Sequence, residues 1–187
     1  MITYNYEIET YQREVAVSSY METCVDIPKF TGYCRQCPHY RKNWACPPFD
    51  FSVEKLWHSY ETLRLSAKKM IVPPELTDRT YEKDAFKEIC SNLLVPMKQA
   101  LLSELMALEA KTPDSLVLSM GTCDACIQCT RLNKKPCRSP DRCRHSIESL
   151  GGDLSKTIEH YFKEKLIWPK EGQLPEYFFL LGGLLIK

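Results

Sequence analysis

The stretch SLVLSMGTCDACIQCTRLNKKPC, residues 115–137, decides the fold of this chain. Its first part, Ser115 to Met120, is short and apolar, which predicts a buried strand. Gly121 follows, and then come three cysteines with two residues between neighbours, and a fourth, Cys137, further on. A buried strand that leads directly into such a run predicts a sheet that serves as scaffold for a cysteine-rich loop.

The spacing of these cysteines predicts a metal site. Cys123, Cys126 and Cys129 form a Cys-x2-Cys-x2-Cys run, which places three thiolates around one small cavity. A ferredoxin-type iron–sulfur cluster uses this run together with a more distant fourth cysteine, here Cys137. Structural zinc more often uses two separated Cys-x2-Cys pairs, so the third close cysteine favours iron–sulfur and leaves zinc as the alternative.

The residues after this run are strongly basic. Segment 131–144 has one acidic residue, Asp141, against six basic ones: Arg131, Lys134, Lys135, Arg138, Arg142 and Arg144. Cations near a thiolate-bound cluster lower the cost of burying its negative charge. A solvated basic loop that contacts an acidic partner would have the same composition, so charge alone leaves both interpretations open.

A second cysteine segment lies earlier in the chain. Cys34, Cys37 and Cys46 lie close together, and Cys46 is followed by Pro47 and Pro48. Three thiolates are one short of a closed tetrahedral site. The fourth ligand could be Cys24, Cys143, a residue of the other segment or an outside molecule, and the alternative is three structural cysteines in a turn.

The remaining cysteines and two histidines are weaker candidates. Cys90 lies on the apolar face of a predicted helix and is expected in the core. Cys24 is undecided between core and ligand. His39 and His145 each follow a cysteine by two residues, and we expect them at the surface or beside the ligands rather than on the metal.

Composition limits the class of protein. The chain has 187 residues, 44% hydrophobic and 26% charged, with a net charge of +1, which predicts one globular domain over residues 1–187. The balanced charge argues against a globally basic nucleic-acid binder. The longest apolar run, Tyr177 to Ile186, is too short to cross a membrane, and the first residues lack a signal-peptide pattern. We therefore expect a cytoplasmic protein, in which ten cysteines serve metal binding rather than disulfides.

Hydrophobic periodicity predicts an α/β or α+β fold with a central sheet of about four strands, packed helices and two cysteine-rich loops, 34–48 and 121–145. Residues 18–51 are expected to be loop-rich, and Asp50 or Ser52 is expected to cap a short helix with Val53, Leu56, Trp57 and Tyr60 on one face. Pro96 is expected to kink or split the longer of the other two helices. Gly182 and Gly183 are expected at a bulge or a close approach. The predicted strands are 2–8, with Ile2, Tyr4, Tyr6 and Ile8 on one face, 63–72, 115–120 and 177–186; the other predicted helices are 81–110 and 155–166.

These cysteine motifs resemble a prokaryotic family known as predicted metal-binding protein, a domain of unknown function. The resemblance is carried by Cys34 to Phe49, by Cys123 to Pro140, and by Arg144 to Asp153. Many members have three residues between the first two cysteines, where this chain has two. The resemblance implies metal binding and carries over seven cysteines: 34, 37, 46, 123, 126, 129 and 137.

The sequence thus predicts a metal-binding protein with one or two 4Fe–4S clusters and an electron-transfer or redox-accessory role, paired with a redox partner protein. Motifs for general acid–base chemistry or an organic cofactor are missing, which favours a carrier over a complete enzyme. The alternatives are a structural zinc protein that acts as an interaction module and an enzyme with an open metal position. We also expect the two cysteine segments to meet in space, so that Cys137 and Cys46 could exchange places between two ligand sets.

Overall fold

The computed structural model describes residues 6–170 and 172–187 and has an α+β fold. Its sheet is antiparallel, with four strands in the order β1-β2-β4-β3. This confirms the predicted class and the predicted sheet of about four strands. The strands are β1 (Glu7–Ala16), β2 (Thr62–Ile71), β3 (Leu116–Leu118) and β4 (Tyr177–Ile186). The helices are α1 (Val17–Cys24), α2 (Ile27–Gln36), α3 (Val53–His58), α4 (Pro74–Thr77), α5 (Lys83–Glu109) and α6 (Leu154–Thr157).

Both faces of the sheet are covered, which explains the continuous apolar run of β4. Phe179, Leu181 and Leu185 of β4 belong to a core that includes Tyr20 of α1 and Trp57 of α3. The alternate β4 residues face the other way, where the long helix α5 packs with Leu93, Met97, Leu101 and Leu105. None of the helices in the described residues is both long enough and apolar enough to cross a membrane.

The prediction that residues 18–51 are loop-rich is wrong in its first half. This stretch contains most of α1 and all of α2. Pro28 and Gly32 suggested loops, but Pro28 lies in the first turn of α2, where its missing N–H costs no hydrogen bond. The Asp26 side chain caps this helix and accepts a hydrogen bond from the Lys29 N–H at 3.0 Å. Irregular structure begins only after Gln36.

The first strand also differs from its prediction. Ile2 and Tyr4 lie outside the described residues, and the strand extends to Ala16, well beyond the predicted end at residue 8. Tyr6 and Ile8 are exposed. The apolar side chains of β1 that contact the core are instead Tyr11 and Val15, on the odd-numbered face. Ile8 thus lies on the face of β1 that the core does not cover, and the short alternating run alone could not show which face the core covers.

The helix predictions were partly right. Ser52 caps α3 and accepts a hydrogen bond from the Lys55 N–H at 3.2 Å. Helix α5 continues through Pro96, which does not split it. The helix predicted over 155–166 is shorter: α6 covers four residues and continues as one π-helical turn, Ile158–Phe162.

Gly182 lies at a close approach between layers. A Cβ atom there would lie 2.7 Å from Leu105 Cδ1 of α5 and 3.0 Å from the Leu118 carbonyl oxygen of β3. The register of β4 with β2 continues through this position without a bulge. The glycine therefore lets α5 and the edge strand β3 pack tightly against β4, at the end of the sheet from which the second cysteine loop departs.

Candidate metal centre

The second cysteine segment is a loop that is closed at its base. It leaves the sheet after β3 and returns beside the same strand, because the Ser119 N–H donates to the His145 carbonyl at 2.7 Å. The Ile147 N–H donates in turn to the Ser119 carbonyl at 3.3 Å. Residues 121–143 are therefore held at both ends, and their cysteines are confined to one end of the sheet.

Five cysteines of this loop line one small cavity: Cys123, Cys126, Cys129, Cys137 and Cys143. The cavity volume is about 20 Å³. Four of these residues are the predicted ligands of the second segment. Cys143 was considered as a ligand for the first segment, but the structure places it with the second. Its position six residues after Cys137 gave no periodic pattern that could assign it.

Cys143 lies close to two other thiols of the cavity. The interaction with Cys123 raises the pKa of Cys143 and lowers that of Cys123. Burial and the nearby Cys137 also raise the pKa of Cys143. A bound metal cation would deprotonate these thiols, because coordination favours the thiolate form.

The first cysteine segment gathers its three thiols at the end of α2. Cys34 lies in the last turn of that helix, and the Cys37 N–H donates to the Cys34 carbonyl at 3.1 Å. Burial, and then the nearby Cys37 and Cys34, raise the pKa of Cys46 to about 11. Cys123 of the other loop contributes to the same shift. Cys37 is exposed, whereas Cys34 and Cys46 are half-buried.

The two segments meet, as the sequence predicted. The Asn43 side-chain amide donates to the Cys123 carbonyl at 3.1 Å. The Trp44 backbone N–H donates to the Cys129 sulfur at 3.4 Å, and the Trp44 indole N–H donates to the Lys135 carbonyl at 3.0 Å. A thiol of the second loop therefore accepts a hydrogen bond from the first, so a change in one loop must affect the other.

Arg131 joins the two cysteine segments through hydrogen bonds. Its guanidinium donates to three carbonyls of the first segment: those of Asn43 at 2.7 Å, Cys46 at 2.5 Å and Pro48 at 2.6 Å. It also lies over the Trp44 ring, 5.0 Å from the centroid. Only a planar, multi-donor group can reach all three acceptors at once. This role could not be predicted from the sequence, in which Arg131 is one of six basic residues of segment 131–144.

The other basic residues fall into two groups. Arg144 pairs with Glu109 of α5 at 2.5 Å, and Arg138 donates to the Gln128 carbonyl at 2.7 Å within its own loop. Lys134, Lys135 and Arg142 are exposed. Part of the basic segment therefore holds the loop in shape, and part presents positive charge to solvent.

The weaker candidates lie in or against the core, at the surface, or beside the first cysteine segment. Cys24 is fully buried in the core under the sheet, and half-buried Cys90 packs against the apolar cluster of α5, as predicted. His39 is exposed. His145 lies against Phe49, with ring centroids 4.6 Å apart, and its Nδ1 contacts the Ala45 carbonyl at 3.2 Å. Burial lowers the pKa of His145.

The donor set fits a thiophilic metal. Sulfur ligands select zinc or iron–sulfur clusters over hard cations such as magnesium. Within residues 6–170 and 172–187, no three cysteine, histidine, aspartate or glutamate side chains converge tightly enough for a single ion as they lie. The positions of the seven predicted cysteines are thus described by the structure, while their role as ligands stays a prediction.

Fold and site together define an α+β domain in which two hydrogen-bonded loops gather eight cysteines at one end of a sheet. The chain belongs to the family described as Predicted metal-binding protein (DUF2284), whose model matches residues 21–186. No curated protein and no solved structure matches the chain. The family assignment agrees with metal binding and leaves the kind of metal open.

Proposed function

We propose that the protein binds an iron–sulfur cluster of the 4Fe–4S type in the second loop and transfers electrons to or from a partner protein. The observation that carries the proposal is the cavity lined by five thiols from one loop. Cys123, Cys126 and Cys129 supply three ligands, and Cys137 the fourth, with Cys143 in contact with Cys123 and Cys137. Such a cluster, when bound, supplies reversible one-electron chemistry.

The residues around these thiols support this role. The Trp44 N–H donates to the Cys129 sulfur, and hydrogen bonds to cluster sulfurs raise the reduction potential. Arg131 places a permanent positive charge between the two loops, which offsets the negative charge of thiolates in a half-buried site. The exposed cations Lys134, Lys135 and Arg142 offer a docking surface to an acidic redox partner.

Cys34, Cys37 and Cys46 form the second part of the proposal. Both outside candidates for a fourth ligand lie elsewhere, Cys24 in the core and Cys143 in the other loop. Cys123 is already assigned to the cluster of the second loop, so a second cluster at these three thiols would take its fourth ligand from an outside molecule. This arrangement corresponds to an open metal position and leaves room for enzymatic chemistry.

Structural zinc is the second candidate, and the size of the cavity favours it. A volume of about 20 Å³ accommodates one water-sized particle, for which about 10–15 Å³ is needed. A single ion would fit with less movement of the loop than a cubane cluster would require. In that case the metal would stabilise the fold and carry no redox chemistry.

Metal analysis combined with an anaerobic visible spectrum separates the two candidates. Purification without oxygen, followed by iron, zinc and acid-labile sulfide determination, gives the content per chain. Iron and sulfide in equal amounts, with broad visible absorption that bleaches on reduction by dithionite, are the expected result. A colourless protein with stoichiometric zinc and no sulfide would contradict the cluster and establish the structural zinc site.

A further inference from the structure

A larger cavity adjoins the small thiol cavity of the second loop. Its volume is about 570 Å³, which is enough for a small organic molecule. Cys137 and Cys143 line both cavities. A molecule bound in the larger cavity would therefore lie against the wall of the metal centre. The cavity is formed by the protein chain alone, so this holds for an iron–sulfur cluster and for zinc.

Aromatic rings form much of the wall of this cavity. Trp44 comes from the first cysteine segment, and Phe49 and Phe51 lie just after it in the chain. The rings of Phe49 and Phe51 are stacked, with centroids 4.8 Å apart and an angle of 12° between their planes. Phe51 is nevertheless 38% exposed, so part of its ring has no contact within the protein. A planar aromatic molecule would pack well against such rings, since stacking and edge contacts add to the burial of apolar area.

The charged residues of the wall do not require a charged ligand. Arg131 lines the cavity, but its guanidinium already donates to three carbonyls of the first segment. Asp50 also lines the cavity, and it is exposed to water. Neither residue is a buried charge without a partner, which would need a ligand of opposite charge. The ligand that matches this wall is therefore neutral.

His145 offers a polar atom to such a ligand. Its Nδ1 atom lies 3.2 Å from the Ala45 carbonyl, and Nδ1 carries the proton because a carbonyl oxygen can only accept. In the neutral ring, Nε2 is then a hydrogen-bond acceptor. Nε2 has no protein partner among the described residues and is not fully buried, so a donor can reach it on the side of the ring opposite Ala45. An N–H or O–H group at the edge of an aromatic ligand would satisfy this acceptor.

We propose that this cavity is a binding site for a neutral, planar aromatic molecule that carries an N–H or O–H donor at its edge. The ring of the ligand packs against Phe51 and Trp44, and its donor bonds to His145 Nε2. Cys137 and Cys143 line the same cavity, so the bound ligand lies next to the thiols of the second loop. Binding depends on the aromatic rings and on His145, and not on which metal the loop holds.

Equilibrium dialysis with three bicyclic probes tests the site on the purified, metal-containing protein. 2-Naphthol is planar and has an O–H donor. 2-Methoxynaphthalene has the same rings and no donor, whereas decahydro-2-naphthol has the donor on a saturated, non-planar frame. We expect 2-naphthol to bind about fivefold or more tightly than either of the others, because each of them lacks one of the two contacts. Equal affinities for the three probes, or no binding of 2-naphthol, would overturn the site.

Two variants locate the contacts, with circular dichroism and metal content measured on each. Phe51→Leu keeps an apolar side chain and removes an exposed ring, so it should weaken 2-naphthol binding about fivefold. Tyr33→Leu is the matched control, because it removes an exposed ring of α2 outside the cavity and should leave the affinity unchanged. His145→Phe keeps a ring beside Phe49 and removes Nε2, so 2-naphthol should lose its advantage over 2-methoxynaphthalene.

The variants separate the two parts of the site. Equal 2-naphthol affinity in the wild type and Phe51→Leu would overturn the location, and this exposed position carries that test even if His145→Phe fails to fold. An unchanged preference for 2-naphthol in a folded His145→Phe would overturn the role of His145 as the acceptor.

Discussion

Replacement of Arg131 by alanine tests how the two cysteine segments are held together. The change removes three hydrogen bonds from a charged donor to the carbonyls of Asn43, Cys46 and Pro48, and one contact with the Trp44 ring. It leaves all cysteines in place. We therefore expect both the free energy of unfolding and the metal content to fall, because the hydrogen bonds of Arg131 that join the two loops are lost.

The size of the effect follows from these contacts. A hydrogen bond to a charged group contributes about 1.5–3 kcal/mol net, and a cation–π contact at a partly exposed site about 0.5–1 kcal/mol. The guanidinium of Arg131 is half-exposed, and the freed carbonyls regain water, so the terms do not add fully. We expect Arg131→Ala to lower the free energy of unfolding by about 3 kcal/mol, and Arg131→Lys by about half of that, since lysine cannot reach three acceptors.

Urea unfolding followed by circular dichroism, with metal content measured on the same samples, gives both quantities. Arg138→Ala is the matched control, because Arg138 lies in the same loop but donates only to the Gln128 carbonyl of its own segment. It should cost less than about 1 kcal/mol. If Arg131→Ala and Arg138→Ala have the same stability and the same metal content, Arg131 does not hold the two cysteine segments together.

Three further changes test other parts of the structure. Glu109→Gln should lower the free energy of unfolding by about 2 kcal/mol in urea titrations, because it leaves the half-buried guanidinium of Arg144 without its counter-charge; a loss below about 1 kcal/mol would show that the pair is effectively solvated. Gly182→Ala should cost about 2 kcal/mol by overpacking, whereas Gly32→Ala in α2, where a Cβ meets nothing within 4 Å, should be neutral or slightly stabilising; equal effects would refute the close approach. Burial raises the pKa of Glu148 above its ordinary 4.5, so wild-type stability should decline as pH rises above that value, and Glu148→Gln should remove this part of the decline. Parallel stability–pH curves for the two proteins would contradict it.

The sheet was predictable because its apolar runs are unambiguous. The ten-residue run Tyr177–Ile186 forms β4, one of the two strands that have neighbours on both sides, and β4 has packing on both faces. The periodic apolar residues of α5 fixed that helix despite Pro96. Helix α2 was missed because Pro28 was interpreted as a helix breaker, although its effect depends on whether it falls in the first turn. Residue preferences alone do not show that Pro28 falls in the first turn, because this depends on where the helix begins, and the cap at Asp26 sets that point.

The sequence predicted which side chains could bind a metal, but not the contacts that bring the two loops together. Cysteine spacing identified the seven candidate ligands and led to the expectation that the loops meet. The contacts that join the loops come from Arg131, Asn43 and Trp44, which are common residue types at unremarkable spacings. Cys143 could not be assigned either, because the cavity that it lines forms only when the loop returns beside β3.

Metal content per chain in Cys126→Ala and Cys90→Ala tests most directly whether the cysteine loop is the metal site. Cys126 lies in the middle of the tightest run and lines the small cavity, whereas Cys90 packs against the apolar residues of α5. We expect Cys126→Ala to lose its metal, and Cys90→Ala to retain it while losing about 1 kcal/mol of stability. Wild-type metal content in Cys126→Ala, or loss of metal from a folded Cys90→Ala, would contradict the assignment.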